Sequence, residues 1–361
     1  MRTTDTSQVK PSFSVKDFAP GWGAAVMGTG VLSAIFSALA ARDFLPELSK
    51  VLAAIFLILA MVVAVPVLGV TTWRWIRYPK VAVAELANPV KGAMAVTYAG
   101  GFLVLAVGFG RAGMSLFGVE TATFLTYLFT AIGGTLALVI GVVFLTDIFV
   151  RGNTPPGMIS GAWFIPPVVT IIVPIALSPL MTEPSPLANE LFWLSWAFLG
   201  IGSLLYFAIV AMLFYRSTTT PLPPAPLAPS LVIGMGPAGL IGFDLLILAE
   251  MSQRTEQDLP SLVEGAAFGG VFFWGFGLWW GISSLIVILR GYKKKPFFLS
   301  WWGFTFPLGA WVVSGINIGS AVGSGIVIWV SMAGLVVMLG IWAVVAVRTL
   351  VGVMNGSIWE H

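Results

Sequence analysis

Ten apolar runs, near residues 20–41, 48–73, 92–110, 121–149, 162–181, 190–215, 231–250, 263–290, 298–318 and 322–350, decide the fold class of this chain. Each has about the twenty residues that an α-helix needs to cross roughly 30 Å of hydrocarbon. Backbone amides and carbonyls inside lipid must pair within their own segment, and the runs lack the alternation of barrel strands, so helices are the expected structure. Only 9% of the residues are charged and 58% are hydrophobic, which excludes a soluble fold. The first run is longer than a signal-peptide core and carries a tryptophan at its mouth, so it reads as a retained span.

Charge orders the connections. Of eighteen lysines and arginines, fourteen lie in the N-terminal stretch or at the ends of the even-numbered runs, and four (Arg42, Lys50, Arg111 and Arg254) lie on the opposite side. Positive loops stay in the cytoplasm, so both termini are expected there, in a multi-pass protein of the plasma (inner) membrane. The expected organisation is a cytoplasmic tail over 1–19, a ten-helix transport domain over 20–350 and a cytoplasmic tail over 351–361.

Odd and even runs differ in kind. The odd ones are short and hold the helix breakers: Pro20, Gly28 and Gly30 in the first, Pro166, Pro167 and Pro174 in the fifth, Pro237 in the seventh and Pro307 in the ninth. The even ones are long, with Pro66 as their one internal proline. A proline inside a helix removes a backbone donor and leaves an unpaired carbonyl, which is costly against lipid. Five helical hairpins follow as the expected architecture of this all-α membrane protein: interrupted inner helices around a central pore, shielded by long outer helices. Such interrupted segments also mark transport paths.

Little catalytic chemistry is available. There is no cysteine, His361 is the only histidine, and no nucleotide-binding or protease motif occurs, so neither an enzyme nor a metal or other cofactor is expected. No nucleic-acid partner is expected; the partners are the lipid bilayer and a small anion. Asp244 is the one ionisable residue well inside a span. It fits a proton or gating site as well as it fits a hydrogen-bonded carboxyl buried between helices. With no lysine or arginine at mid-membrane, an anion would be held by freed amides and by hydroxyls such as Thr29, Thr305 and Ser314. No arginine fork for a carboxylate stands at mid-membrane; Arg111, near the outer end of the third helix, is the closest candidate and reads better as an interfacial anchor. The proline-rich stretch 217–229 reads as a stiff spacer, or as a docking site if the protein is a non-conducting receptor or scaffold.

Three stretches resemble the tellurite-resistance/dicarboxylate transporter family. They are the stretch from Phe18 through Pro20, Trp22 and Gly28 to Gly30, the run Trp163-Phe164-Ile165-Pro166-Pro167, and the run from Trp301 through Gly303, Phe304, Thr305, Phe306 and Pro307 to Gly309. The resemblance covers roughly residues 18–350. It implies five hairpins around a pore, trimers with one pore per protomer, and a phenylalanine of the ninth helix that closes the pore. By its place beside the proline that residue is Phe306, with Phe304 second. Gly28, Thr29, Pro166, Pro167, Pro237, Thr305 and Pro307 are the expected pore-lining or kink positions. The implied cargo is a C4-dicarboxylate such as malate, with sulfite or tellurite export, or an inorganic anion channel, as alternatives.

Overall fold

The computed structural model describes residues 13–255, 257 and 259–359. Arg2 and Lys10 of the charge count, the first part of the N-terminal tail, and His361 lie outside the described residues. The chain forms α1 (Gly23–Ala40), α2 (Pro46–Arg77), α3 (Pro79–Leu86), α4 (Lys91–Ala95), α5 (Thr97–Gly108), α6 (Met114–Phe117), α7 (Val119–Arg151) and α8 (Ile165–Leu177). It continues through α9 (Pro186–Thr219), α10 (Met235–Arg254), α11 (Pro260–Gly291), α12 (Thr305–Ala321) and α13 (Gly325–Asn355). Among the described residues there is no strand.

Among the described residues, nine helical segments are long and apolar enough to cross a membrane. The remaining expected span consists of a 3-10 turn, Leu299–Phe304, followed by the 17 residues of α12. Burial separates two classes. In the first, third, fifth and seventh segments 78–89% of the most apolar stretch is buried, against 22–39% in the five long helices. In α12, fourteen of the 17 residues are buried. The long helices α2, α7, α9, α11 and α13 turn large apolar side chains outward, among them Val65 at 76% and Phe268 at 81% exposure, as an acyl-chain environment requires.

The buried helices form a closed ring. α1 packs on α5, α5 on α8, α8 on α10, α10 on α12, and α12 returns to α1. Each long helix packs on the inner helix before it and wedges against the next: α2 on α1 and α5, α7 on α5 and α8, α9 on α8 and α10, α11 on α10 and α12. The last, α13, packs on α12 and reaches α1 through Trp342, whose Nε1 donates to Thr29 Oγ1 at 3.2 Å. Because each inner helix is followed by an antiparallel outer one, all five inner helices run in the same direction.

The interruptions sit mostly at one end of the inner segments. A 3-10 turn precedes α1 (Pro20–Trp22), α8 (Gly161–Phe164), α10 (Ala225–Gly234) and α12 (Leu299–Phe304), and a single turn residue, Val96, separates α4 from α5. Pro166 and Pro167 are the second and third residues of α8, and Pro237 and Pro307 are the third residues of α10 and α12. First-turn amides have no partner inside a helix, so a proline there starts the helix without disturbing it. Of the prolines singled out in the inner segments, Pro174 alone lies in a helix interior.

The end that carries both termini is tied together by polar contacts. Arg74, only 3% exposed, donates through Nη2 to Glu85 at 2.5 Å and through Nε to the Lys16 carbonyl at 2.9 Å, and Lys91 pairs with Glu85 at 2.9 Å. Phe13, Phe18, Trp22 and Trp359 cluster there, with the Phe13 and Trp359 rings 5.1 Å apart. The proline-rich spacer is only briefly extended. From Ala225 it winds into the turn before α10, and its carbonyls are taken: Pro221 by Arg216 at 2.8 Å, Pro223 by the Tyr292 hydroxyl at 2.6 Å and Pro226 by Ser300 at 2.5 Å.

Candidate functional site

All five inner segments contribute to one cavity on the ring axis. It is lined by Val31, Ala34 and Ala38 of α1, by Val104, Val107 and Arg111 of the third segment, and by Ile172 and Ile175 of α8. Leu240 and Phe243 of α10 and Phe306, Ala310, Val313 and Asn317 of α12 complete it. Phe306 stands in the first turn of α12 and Asn317 eleven residues further on, so the lined length is about 16 Å at the rise of an α-helix. The volume open to the centres of water molecules is about 40 Å3, room for roughly three waters. A dicarboxylate does not fit in that space.

Phe306 therefore marks the end of the cavity nearer the chain termini, and its ring is 94% buried. At the end of the molecule that carries the termini, a second cavity of about 890 Å3 is lined by the starts of the first, third, seventh and ninth segments, including Trp22, Met94, Leu227 and Ser300, and by the end of α13. Phe304 points elsewhere. It lines a peripheral groove with Leu285, Ile288, Trp301 and Ile341, and meets the Trp301 ring edge-on at 5.8 Å.

The other expected positions divide between packing and helix initiation. Gly28 marks the closest approach of α1 to α12, because a Cβ there would collide with Thr305 Oγ1 and come within 2.9 Å of Thr305 Cβ. Thr305 donates to the Trp302 carbonyl at 2.7 Å, Thr29 to the Ala25 carbonyl at 2.8 Å and Ser314 to the Ala310 carbonyl at 2.7 Å. Each hydroxyl proton is thus engaged one turn back in its own chain, and Thr29 faces the outer helix α13. None of these residues, and none of Pro166, Pro167, Pro237 and Pro307, lines the central cavity.

Asp244 is fully buried, and neither carboxylate oxygen has a hydrogen-bond partner among the described residues. It does not line the cavity either, although Leu240 and Phe243 of the same helix do. At 100° per residue it lies about 100° around α10 from Phe243 and about 40° from Leu240. An unpaired charge there would be costly to bury.

Arg111, expected near the outer end of the third helix, lies in the last turns of that segment. The apolar run breaks off just before it, but the helix does not: α5 passes into a π turn, Phe109–Gly113, and then α6, so that one segment extends to Phe117. Arg111 consequently lies six residues inside the end of a span and faces the cavity, where Asn317 is the only other polar residue. A π turn inserts an extra residue into the helix and re-aims the side chains that follow. Arg42, at the end of α1, donates to the Ala38 carbonyl at 3.3 Å, and Arg42 and Glu250 lie within electrostatic range of Arg111. Among the described residues no cluster of metal-ligating side chains occurs.

Comparison with known proteins agrees with this geometry. Residues 17–350 match the profile of the voltage-dependent anion channel family. Two uncharacterised transporters of Methanocaldococcus jannaschii are each 30% identical over 96% of this chain, covering 98% and 96% of their own lengths. A sulfite efflux pump of Trichophyton rubrum is 24% identical over 85% of this chain and 83% of its own. A family match spanning the whole ring of hairpins, with full-length relatives at this identity, means that the chain belongs to the voltage-dependent anion channel family.

Proposed function

We propose that the protein moves small anions across the plasma membrane through the axis of the five-helix ring, with Phe306 as the gate. The observation that carries this reading is the convergence of all five inner segments on one cavity that ends at the Phe306 ring. A large aromatic in the first turn of a helix can block a narrow apolar passage and swing aside by a rotamer change. The long helices keep lipid away from that passage, as a conduit requires. Family membership and the sulfite-exporting relatives support an anion as cargo. Oxyanions, namely sulfite or a C4-dicarboxylate such as malate, are the cargo class proposed here, and the charge asymmetry of the loops supports cytoplasmic termini. In this reading Leu299–Ala321 is the tenth span, and Asp244 carries the proton where flux is coupled to pH.

A receptor or scaffold has less in its favour, since the spacer it would use as a docking segment has its carbonyls engaged internally. The test is purified protein in proteoliposomes under asymmetric gradients of sulfite, malate and chloride salts, read as flux and reversal potential. Native flux above empty vesicles, with a reversal potential that follows the anion gradient, is the expected result. Background flux for all three anions, in the native chain and in Phe306→Ala alike, would refute the reading.

A further inference from the structure

The direction of the inner helices creates an electrostatic problem at one mouth. All five run the same way, so five helix C-terminal ends gather at the end of the passage opposite the chain termini, each equivalent to roughly half a negative charge. An anion crossing that mouth meets outward-turned carbonyls. What the cavity does hold at this end is one guanidinium, on the π turn of the third segment, and one amide, Asn317. Arg111 is half-buried and makes no hydrogen bond or ion pair among the described residues, so its donors are free. The Asn317 amide gives one hydrogen to the Val313 carbonyl at 2.6 Å, which leaves its other groups for the cavity.

We infer that Arg111 is the oxyanion-binding residue of the passage, held at the mouth opposite the termini so that its guanidinium receives the anion just before or after the Phe306 constriction. The inference rests on the conducting role proposed above and adds the group that recognises the cargo. Its chemistry selects within the anions. A guanidinium offers two parallel N–H bonds to two oxygens of one carboxylate or sulfite, whereas chloride can use only its charge. The π turn is the device that makes the placement possible. In continuous α winding the side chains after Gly108 would take another angle, and a buried cation turned toward the outer helices would find no water.

The test uses the full chain in proteoliposomes, comparing native, Arg111→Gln and Arg111→Lys proteins, with sulfite and chloride as the probes. Loss of a charge-assisted pair should raise the half-saturating sulfite concentration of Arg111→Gln by about tenfold or more and move its reversal potential toward that of an unselective pore. Arg111→Lys keeps the charge and loses the fork, so it should retain chloride flux while its preference for sulfite over chloride falls about tenfold. An unchanged sulfite preference in Arg111→Lys overturns the inference, also where Arg111→Gln fails to fold. Conduction that persists with unaltered selectivity in both variants removes Arg111 alone and leaves the Phe306 gate standing. Background flux in the native chain and in Phe306→Ala alike removes both.

Discussion

Replacing Phe306 by alanine should turn a closed passage into a leaky one, and the size of the change can be bounded. To open the native gate, the ring must leave a site where it is 94% buried, giving up about 2–3 kcal/mol of apolar burial, and pass an eclipsed rotamer at about 1 kcal/mol. Removing the ring abolishes a barrier of about 3–4 kcal/mol, so flux should rise by about a hundredfold to several hundredfold where the gate limits it. The structural cost should fall at or below the low end for Phe→Ala, about 3 kcal/mol, because the ring already borders empty space and loses neighbours on one side only. The assay is initial sulfite efflux from proteoliposomes at matched protein density, with Phe304→Ala as control. Phe304 lines the peripheral groove, so its variant should stay within about twofold of native. Equal flux from Phe306→Ala and native protein, or an equal rise in Phe304→Ala, would show that the ring does not close the path.

Three further outcomes follow. Asp244→Asn, isosteric and uncharged, should preserve flux at neutral pH within about twofold and flatten its response to an imposed pH gradient, read with a pH-sensitive dye; an unaltered response would assign Asp244 to packing. Gly28→Val should lower the thermal stability of the detergent-solubilised protein by about 2–3 kcal/mol through overpacking against Thr305 and Trp302, whereas Gly340→Ala on the open face of α13 should leave it unchanged or raise it by up to about 1 kcal/mol. Glu85→Gln should destabilise by about 2–3 kcal/mol, because it leaves the buried Arg74 without its carboxylate; the 20% exposure of Glu85 keeps the loss below that of a fully buried pair. Thermal unfolding followed by intrinsic tryptophan fluorescence measures both stabilities.

The ring was legible in the sequence because lipid makes segment length and breaker position expensive to vary. Hydropathy marked the runs, and the difference between short, proline-bearing runs and long, intact ones predicted which would be buried. The resemblance to known transporters, together with the motif beside Pro307, pointed to Phe306, which the structure places at the end of the cavity. The side chains around it were harder to read. Pro166, Pro167, Pro237 and Pro307 gave the right helices and the wrong locus, since composition cannot distinguish a proline that bends a helix from one that starts it. Thr29 and Thr305 looked like anion ligands, but a threonine in a helix readily donates to the carbonyl four or three residues back, and both do. Arg111 was visible as the closest candidate for a carboxylate fork, but the rule that found everything else favoured an interfacial anchor. A charge ends an apolar run, and only its π winding shows that the span continues past it. The sequence signal that could have found it is the spacing Gly108, Gly110 and Gly113 around a lone cation, followed by further apolar residues up to Phe117.

The return of α12 to α1 bears on how the protein is made. A nascent chain leaving the ribosome lays down α1 first and α12 and α13 last, so the flank of α1 that carries Gly28 and Thr29 waits through four hairpins for its neighbours. During that interval the half-built ring is a horseshoe with a slot open sideways to the bilayer. The insertion machinery, or lipid itself, has to occupy that slot until the final pair arrives, and a mutation that delays the last hairpin would leave membranes permeable or the chain marked for degradation long before any transport defect could be measured.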